Sequence, residues 1–223
     1  MHKAPDRVDP DTGSHAARPA PASQSVVPAT LVVGFRGAGK DQLIDALLRM
    51  RPSDRRWTLI GPGPTPPAVR SAAMTDFQSL PAGCMCCTGL VPFRAGLTQL
   101  LRQRKLSPPA RLIIDAGAQA HARRTRAELG SQRFVGTLKL TSTIAMIDAD
   151  LHGIDKAHAQ FAIDDLVDAA DIVIVWSAVA TAGRATPAMR DLADRTGGDR
   201  QPWFAGNDNI DAAARAALDE DNS

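Results

Sequence analysis

The run Gly34-Phe35-Arg36-Gly37-Ala38-Gly39-Lys40 constrains the fold more than any other stretch of the chain. It fits the spacing G-x-x-x-x-G-K and sits between two segments of different period. Before it, Ala29-Thr30-Leu31-Val32-Val33 is a short apolar run of the kind that forms a buried strand. After it, Leu43, Ile44, Leu47 and Leu48 recur at helical spacing over residues 42–50. A strand, a glycine turn and a helix in this order make an anion cradle. Glycine lets backbone N–H groups curl around phosphate oxygens, the helix presents its positive end, and Lys40 reaches the terminal phosphates. Gly34, Gly37, Ala38, Gly39, Lys40 and Asp41 are therefore the expected nucleotide-binding residues.

Asp41 departs from the motif, which has Ser or Thr after the lysine to bind Mg²⁺ through a hydroxyl. A carboxylate can also ligate Mg²⁺. It adds negative charge beside a polyphosphate, however. At ~4 Å in a partly dry site that repulsion costs on the order of a few kcal/mol. Weakened or altered nucleotide binding is expected.

Further along, strands are expected at residues 57–60, 111–115, 142–148, 171–176 and 203–205. Helices are expected at residues 93–104, 157–169, 187–194 and 210–218. Residues 61–67, Gly-Pro-Gly-Pro-Thr-Pro-Pro, read as a loop. Apolar strands alternating with helices predict an α/β three-layer sandwich with a mainly parallel central sheet. The chain of 223 residues is long enough for one core. That domain is expected over residues 28–219, with a disordered tail at 1–27 and a short tail at 220–223.

A net charge of +2 and the absence of Tyr argue against a nucleic-acid partner. No apolar run approaches the roughly 18–20 residues a membrane span needs. Residues 1–25 hold no apolar stretch of secretory type. A cytoplasmic location with reduced thiols is therefore expected, and a metal or redox role suits the cysteines better than a disulfide.

All three cysteines lie in Cys84-Met85-Cys86-Cys87. Three thiolates in four residues can hold a soft or borderline ion, Zn²⁺ first and Cu(I) as well. Zinc wants a fourth ligand, for which His121, Asp115, water or a second protein are candidates. A redox switch on the same thiols, or a small buried hydrophobic cluster, are the alternatives.

The phosphate turn and the downstream Gly83-Cys84-Met85-Cys86-Cys87-Thr88 together resemble the CobW-like P-loop GTPases, a family that includes metallochaperones and metal insertases. The likeness runs from about Thr30 to about Leu218. It implies GTP with Mg²⁺ and Zn²⁺ as ligands, and a client metalloprotein as a partner. It also makes Asp115, at the end of Arg111-Leu112-Ile113-Ile114-Asp115, the acidic catalytic residue. Three positions depart from the family pattern. The Glu-x-x-Gly after that strand is here Asp115-Ala116-Gly117-Ala118, so Gly117 can sense a γ-phosphate only if the loop shifts by one. Trp176-Ser177-Ala178-Val179 occupies the place of the guanine motif Asn-Lys-x-Asp, with loss of base discrimination. The Asn-Glu-Phe-Gly-type switch segment gives way to the Pro/Gly stretch at 61–67. GTP hydrolysis is expected to be weak or lost. A non-hydrolysing regulatory module, or a P-loop ATPase or kinase without guanine selectivity, are the other readings.

Arg123, Arg124 and Arg126 read as a solvated face, and His121 as a surface residue. Asp148 and Asp150 end a strand, where ligand sites of α/β folds gather. His2 and His15 lie in the tail.

Overall fold

A computed structural model describes residues 26–35, 37–71, 75–80, 85, 87–103, 107–117, 121–149, 156–178 and 202–219, with positions 187, 190, 193 and 194. Seven strands form one sheet: β1 (Val27–Gly34), β2 (Trp57–Pro62), β3 (Thr75–Leu80), β4 (Arg111–Asp115), β5 (Leu138–Asp148), β6 (Ile172–Trp176) and β7 (Trp203–Ala205). Their order is β3-β2-β4-β1-β5-β6-β7, and every described pairing is parallel. The helices are α1 (Lys40–Arg49), α2 (Pro67–Ser71), α3 (Leu90–Gln103), α4 (Ala122–Leu129), α5 (Lys156–Ala169) and α6 (Ile210–Asp219).

Alternation along the strands sorts the core into two layers. Leu31 and Val33 of β1 and Val173 and Val175 of β6 face the layer of α3, α4 and α5, where Phe93, Leu97 and Leu129 lie. Val32, Ile172 and Ile174 face α1, α2 and α6, where Leu43, Leu47 and Val69 lie. Both faces of the sheet are thus dry, which is why β4 and β6 are nearly unbroken apolar runs. Full burial of each such Leu or Ile side chain is worth about 1.5–3 kcal/mol.

Several elements depart from the sequence-based reading. Residues 61–67 are not a loop throughout. Gly61 and Pro62 continue β2, paired with Ser79 and Leu80 of β3. Pairing of β2 with β4 stops at Ile60↔Ile114, so Pro62 has a strand neighbour on one side only, a place where proline is tolerated. Pro67 begins α2, where its missing N–H costs nothing. The strand β3 and the helices α2 and α4 were not expected. β1 begins at Val27 and β5 at Leu138, ahead of the expected starts. Of the helix expected at 187–194, positions 187, 190, 193 and 194 are helical.

The arginines of α4 are not simply a solvated face. Arg123 pairs with Asp165 at 2.9 Å and Asp168 at 3.2 Å, and Arg126 pairs with Asp171 at 2.8 Å. Asp165 also accepts the Ala122 N–H at 2.6 Å, so α5 caps the start of α4. Arg124 is exposed. At the other end of α4, both guanidinium arms of Arg94 on α3 grip the carboxylate of Glu128.

That grip makes a pH prediction. The hydrogen bond from Arg94 holds the Glu128 carboxyl below its ordinary value of 4.5. A depressed carboxyl stabilises the fold fully above its unfolded value, and the stabilisation is lost as pH falls through the lower folded value. Glu128→Gln is therefore expected to change melting temperature little below that range and to lower it modestly above pH 4.5. Melting curves across pH check this, and equal losses at all pH values would refute it.

Candidate functional site

The turn after β1 lies at the centre of the sheet, between β4 and β5, where the chain order reverses sides. Crevices at the carboxyl ends of parallel strands form at such a point. Here a cavity of about 320 Å³ is lined by Phe35, Gly37, Gly39, Lys40, Asp41, Gln42, Pro62, Asp115 and Gly117. The volume falls at the lower end of the range of small-molecule sites, about 300–1,000 Å³.

Two glycines shape the turn. Gly37 has φ +84° and Gly39 φ +76°, left-handed values that a residue with a Cβ adopts at a cost. Gly39 also meets Trp176, the last residue of β6. A methyl group on Gly39 would lie 2.4 Å from the indole ring, which is buried at 2% exposure. Gly34 has φ +150°, and a methyl there would lie 2.3 Å from the carbonyl oxygen of Met146 on β5.

Lys40 opens α1 and is 8% exposed. Its Nζ donates to Asp115 Oδ1 at 3.0 Å. The same oxygen accepts the Gly117 N–H at 2.9 Å. Gly117 has φ +75°, and a methyl there would lie 3.4 Å from Pro62 Cγ. On α1, burial pushes the Asp45 carboxyl up; Arg49 opposes the shift and Asp41 adds to it.

Of the residues expected to hold a nucleotide, Gly37, Gly39, Lys40 and Asp41 line the cavity together with the expected catalytic residue Asp115. Gly34 and Ala38 do not line it. Gly34 carries the close crossing of β1 and β5, and Ala38 is buried in the core beneath α1. Pro62, in a stretch read as loop, also lines the cavity, and Trp176, read at the place of the guanine motif, meets the turn at Gly39 through the fold. Phe35 and Gln42 also line the cavity, and only their place beside the glycine motif could have signalled them.

The cysteine segment joins the carboxyl end of β3 to the start of α3. Carboxyl ends of parallel strands share one edge of the sheet, so this segment leaves from the same edge as the phosphate turn. By strand count, the ends of β3 and β1 are about 14 Å apart across the sheet. Met85 is buried at 5% exposure in the same core layer as Phe93, and Cys87 is exposed with its carbonyl accepting the Leu90 N–H at 3.1 Å. Cys84 and Cys86 lie outside the described residues, as do Ala118, Val179, Asp150, His2 and His15. Among the described residues no three His, Cys, Asp or Glu side chains gather to hold a metal ion. His121, exposed, caps α4 with its backbone carbonyl, which accepts from Thr125. No helix among the described residues is long and apolar enough to cross a membrane.

An all-parallel sheet with a glycine turn, a buried lysine at the start of α1 and an acid at the end of the adjacent strand defines a P-loop nucleotide-binding domain. Residues 28–178, more than half of the chain, match the family model "CobW/HypB/UreG, nucleotide-binding domain", and the chain belongs to that family. It is 28% identical over 175 residues to the zinc chaperone YeiR of Escherichia coli (strain K12), a match over 77% of this chain and 52% of that protein. The chain thus spans about half the length of that relative. Among solved structures, it resembles HypB from Helicobacter pylori in complex with nickel, with a TM-score of 0.58 at 12% identity over 88% of this chain and 87% of that one. It also resembles the Zn(II)-bound YjiA GTPase from E. coli, with a TM-score of 0.50 at 17% identity over 77% of this chain and 54% of that one. At these identities the two likenesses speak for the fold.

Proposed function

We propose that this chain is a GTP-binding metal-trafficking protein of the cytoplasm, which carries zinc or another transition metal on Cys84, Cys86 and Cys87 to a client metalloprotein. In this reading Gly37, Gly39 and Lys40 hold the phosphates and Asp41 and Asp115 face the accompanying Mg²⁺. Gly34 and Ala38 support the turn from behind. The donor set fits: left-handed glycines free backbone N–H groups, a lysine supplies the cation, and carboxylates suit a hard divalent ion. Mg²⁺ would supply charge neutralisation at the phosphates.

The observation that carries the reading is the link between the two sites. Pro62 forms a wall of the cavity and is the register partner of Leu80, the last residue of β3 before the cysteine segment. The Ser79 hydroxyl also donates to the Gly63 carbonyl at 2.8 Å. A nucleotide that moves Pro62 therefore moves the strand end from which the thiolates hang. Zinc titrated calorimetrically into the protein with and without GTP tests this. Binding near one equivalent is expected, with an affinity that GTP changes by about 5- to 150-fold, the usual span of coupling between sites. Identical zinc isotherms with GTP bound would remove the coupling.

A second reading, a non-hydrolysing module, is favoured by Asp41 inside the cavity and by Trp176 at the place of the guanine motif. Phosphate release with Mg²⁺·GTP, and competition by ATP, separate it from the first and from an ATPase without guanine selectivity.

A further inference from the structure

We infer that Trp176 is a positioning residue of the phosphate turn: its indole holds Gly39 in the left-handed conformation that aims Lys40 and the start of α1 at the phosphates. The inference rests on reading the cavity as the nucleotide site. Gly39 is the N-cap of α1, and its carbonyl accepts the Leu43 N–H at 3.0 Å. As a glycine it offers no side-chain oxygen to the first N–H groups of the helix, the means by which Ser, Thr, Asp or Asn secure such a start. Its φ of +76° is one that glycine leaves as readily as it enters. Packing from outside the turn therefore has to fix it.

Trp176 is placed to do so. A methyl on Gly39 would lie 2.4 Å from Trp176 Cδ2 and 2.7 Å from both Cγ and Cε2. Cδ2 is bonded to three ring atoms and can be approached closely only from the face, so the flat of the indole meets the turn. The ring is 2% exposed and shares its core layer with Ala38 of the turn, Leu43 of α1 and Ile210 of α6. Its backbone is held on both sides. Trp176 is in register with Asp148 of β5 and Ala205 of β7, and its carbonyl accepts the Ala149 N–H at 2.8 Å. A fixed aromatic plate limits where Gly39 can sit, and Lys40 follows Gly39 directly in the chain. A cradle set in advance spares the ligand the entropy cost of ordering it.

Titration of Mg²⁺·GTP against the full chain, with melting curves of each variant, tests this. Trp176→Ala is expected to weaken binding at least about tenfold through lost preorganisation, and Trp176→Phe to stay within about threefold of the parent because a flat ring remains. Leu129→Ala, which empties a buried site on the opposite face of the sheet, should leave the affinity unchanged. If Trp176→Ala binds as the parent does, or if Leu129→Ala weakens binding as much, the positioning role is overturned. Loss of binding in Lys40→Ala then keeps the nucleotide site standing. If Lys40→Ala binds unchanged, the nucleotide site falls and the role of Trp176 with it. The contact itself has a readout that needs no nucleotide. Trp176→Ala should lower the melting temperature less in a Gly39→Ala background than in the parent, because removing the ring makes room for the methyl. Additive shifts overturn the proposal. Should Trp176→Ala fail to fold, Trp176→Leu takes its place: weaker GTP binding by the Leu variant than by the Phe variant supports the role, and equal binding overturns it.

Discussion

Gly34→Ala is expected to lose about 3–5 kcal/mol of stability, and Gly39→Ala nearly as much, while Gly136→Ala loses only about 1–2 kcal/mol. The three share a positive φ, +150°, +76° and +77°, so each pays a backbone cost of about 1–2 kcal/mol for adding a Cβ. They differ in what the new methyl meets. At Gly136 nothing lies within 4 Å. At Gly39 the methyl would stand 2.4 Å from the Trp176 indole, and overpacking of that kind adds about 1–3 kcal/mol. At Gly34 it would stand 2.3 Å from the Met146 carbonyl oxygen, on the strand with which Gly34 is in register. A backbone carbonyl in a central pairing yields less readily than a side chain, so the ends of β1 and β5 would have to part. For a chain of this size each kcal/mol moves the melting temperature by roughly 2–4 °C. Gly34→Ala should therefore melt about 10 °C below the parent and Gly136→Ala only a few degrees below. If all three variants melt together, the close crossings do not exist as described.

The same comparison shows what the sequence could reveal and what it could not. β4 and β6 were readable almost to the residue because both are unbroken apolar runs closed by a polar or aromatic end, and both are covered on two faces. The glycine turn was readable because the period changes on either side of it. β3 was not, because Thr75-Asp76-Phe77-Gln78-Ser79-Leu80 is an edge strand with one neighbour and carries two large apolar residues in six. α4 was not, because Ala-Arg-Arg-Thr-Arg-Ala-Glu-Leu owes its place to partners distant in sequence: Asp165 at its start and Arg94 at its end. Pro62 and Pro67 both read as breakers, yet one ends a strand beyond its second neighbour and the other starts a helix. In the site, Lys40, Asp41 and Asp115 were legible as motif positions. Their mutual arrangement was not, since the turn of the Gly117 N–H onto Asp115 depends on a backbone angle that no residue type announces.

Replacing Cys84, Cys86 and Cys87 together with Ser is expected to weaken zinc binding by at least about 100-fold, the largest effect on the proposed function. Zinc is held by deprotonated thiolates, and structural sites in small domains gain about 10–16 kcal/mol from such binding. A serine hydroxyl does not ionise near neutral pH and is a poor substitute. Because each thiol must lose its proton, zinc affinity in the parent should fall as pH drops, with protons released into the buffer on binding. The substitutions should spare the fold. Among the described residues of the segment, Met85 is buried in the core, and it is unchanged in the variant. Cys87 is exposed, so its replacement removes little packing. Melting curves of parent and variant in EDTA check that the variant folds. Added zinc should raise the melting temperature of the parent alone, because a ligand that binds only the native state stabilises it. If the triple variant still takes up zinc as tightly as the parent, the metal is held elsewhere. The link through Leu80 and Pro62 would then connect the nucleotide cavity to a segment with no cargo.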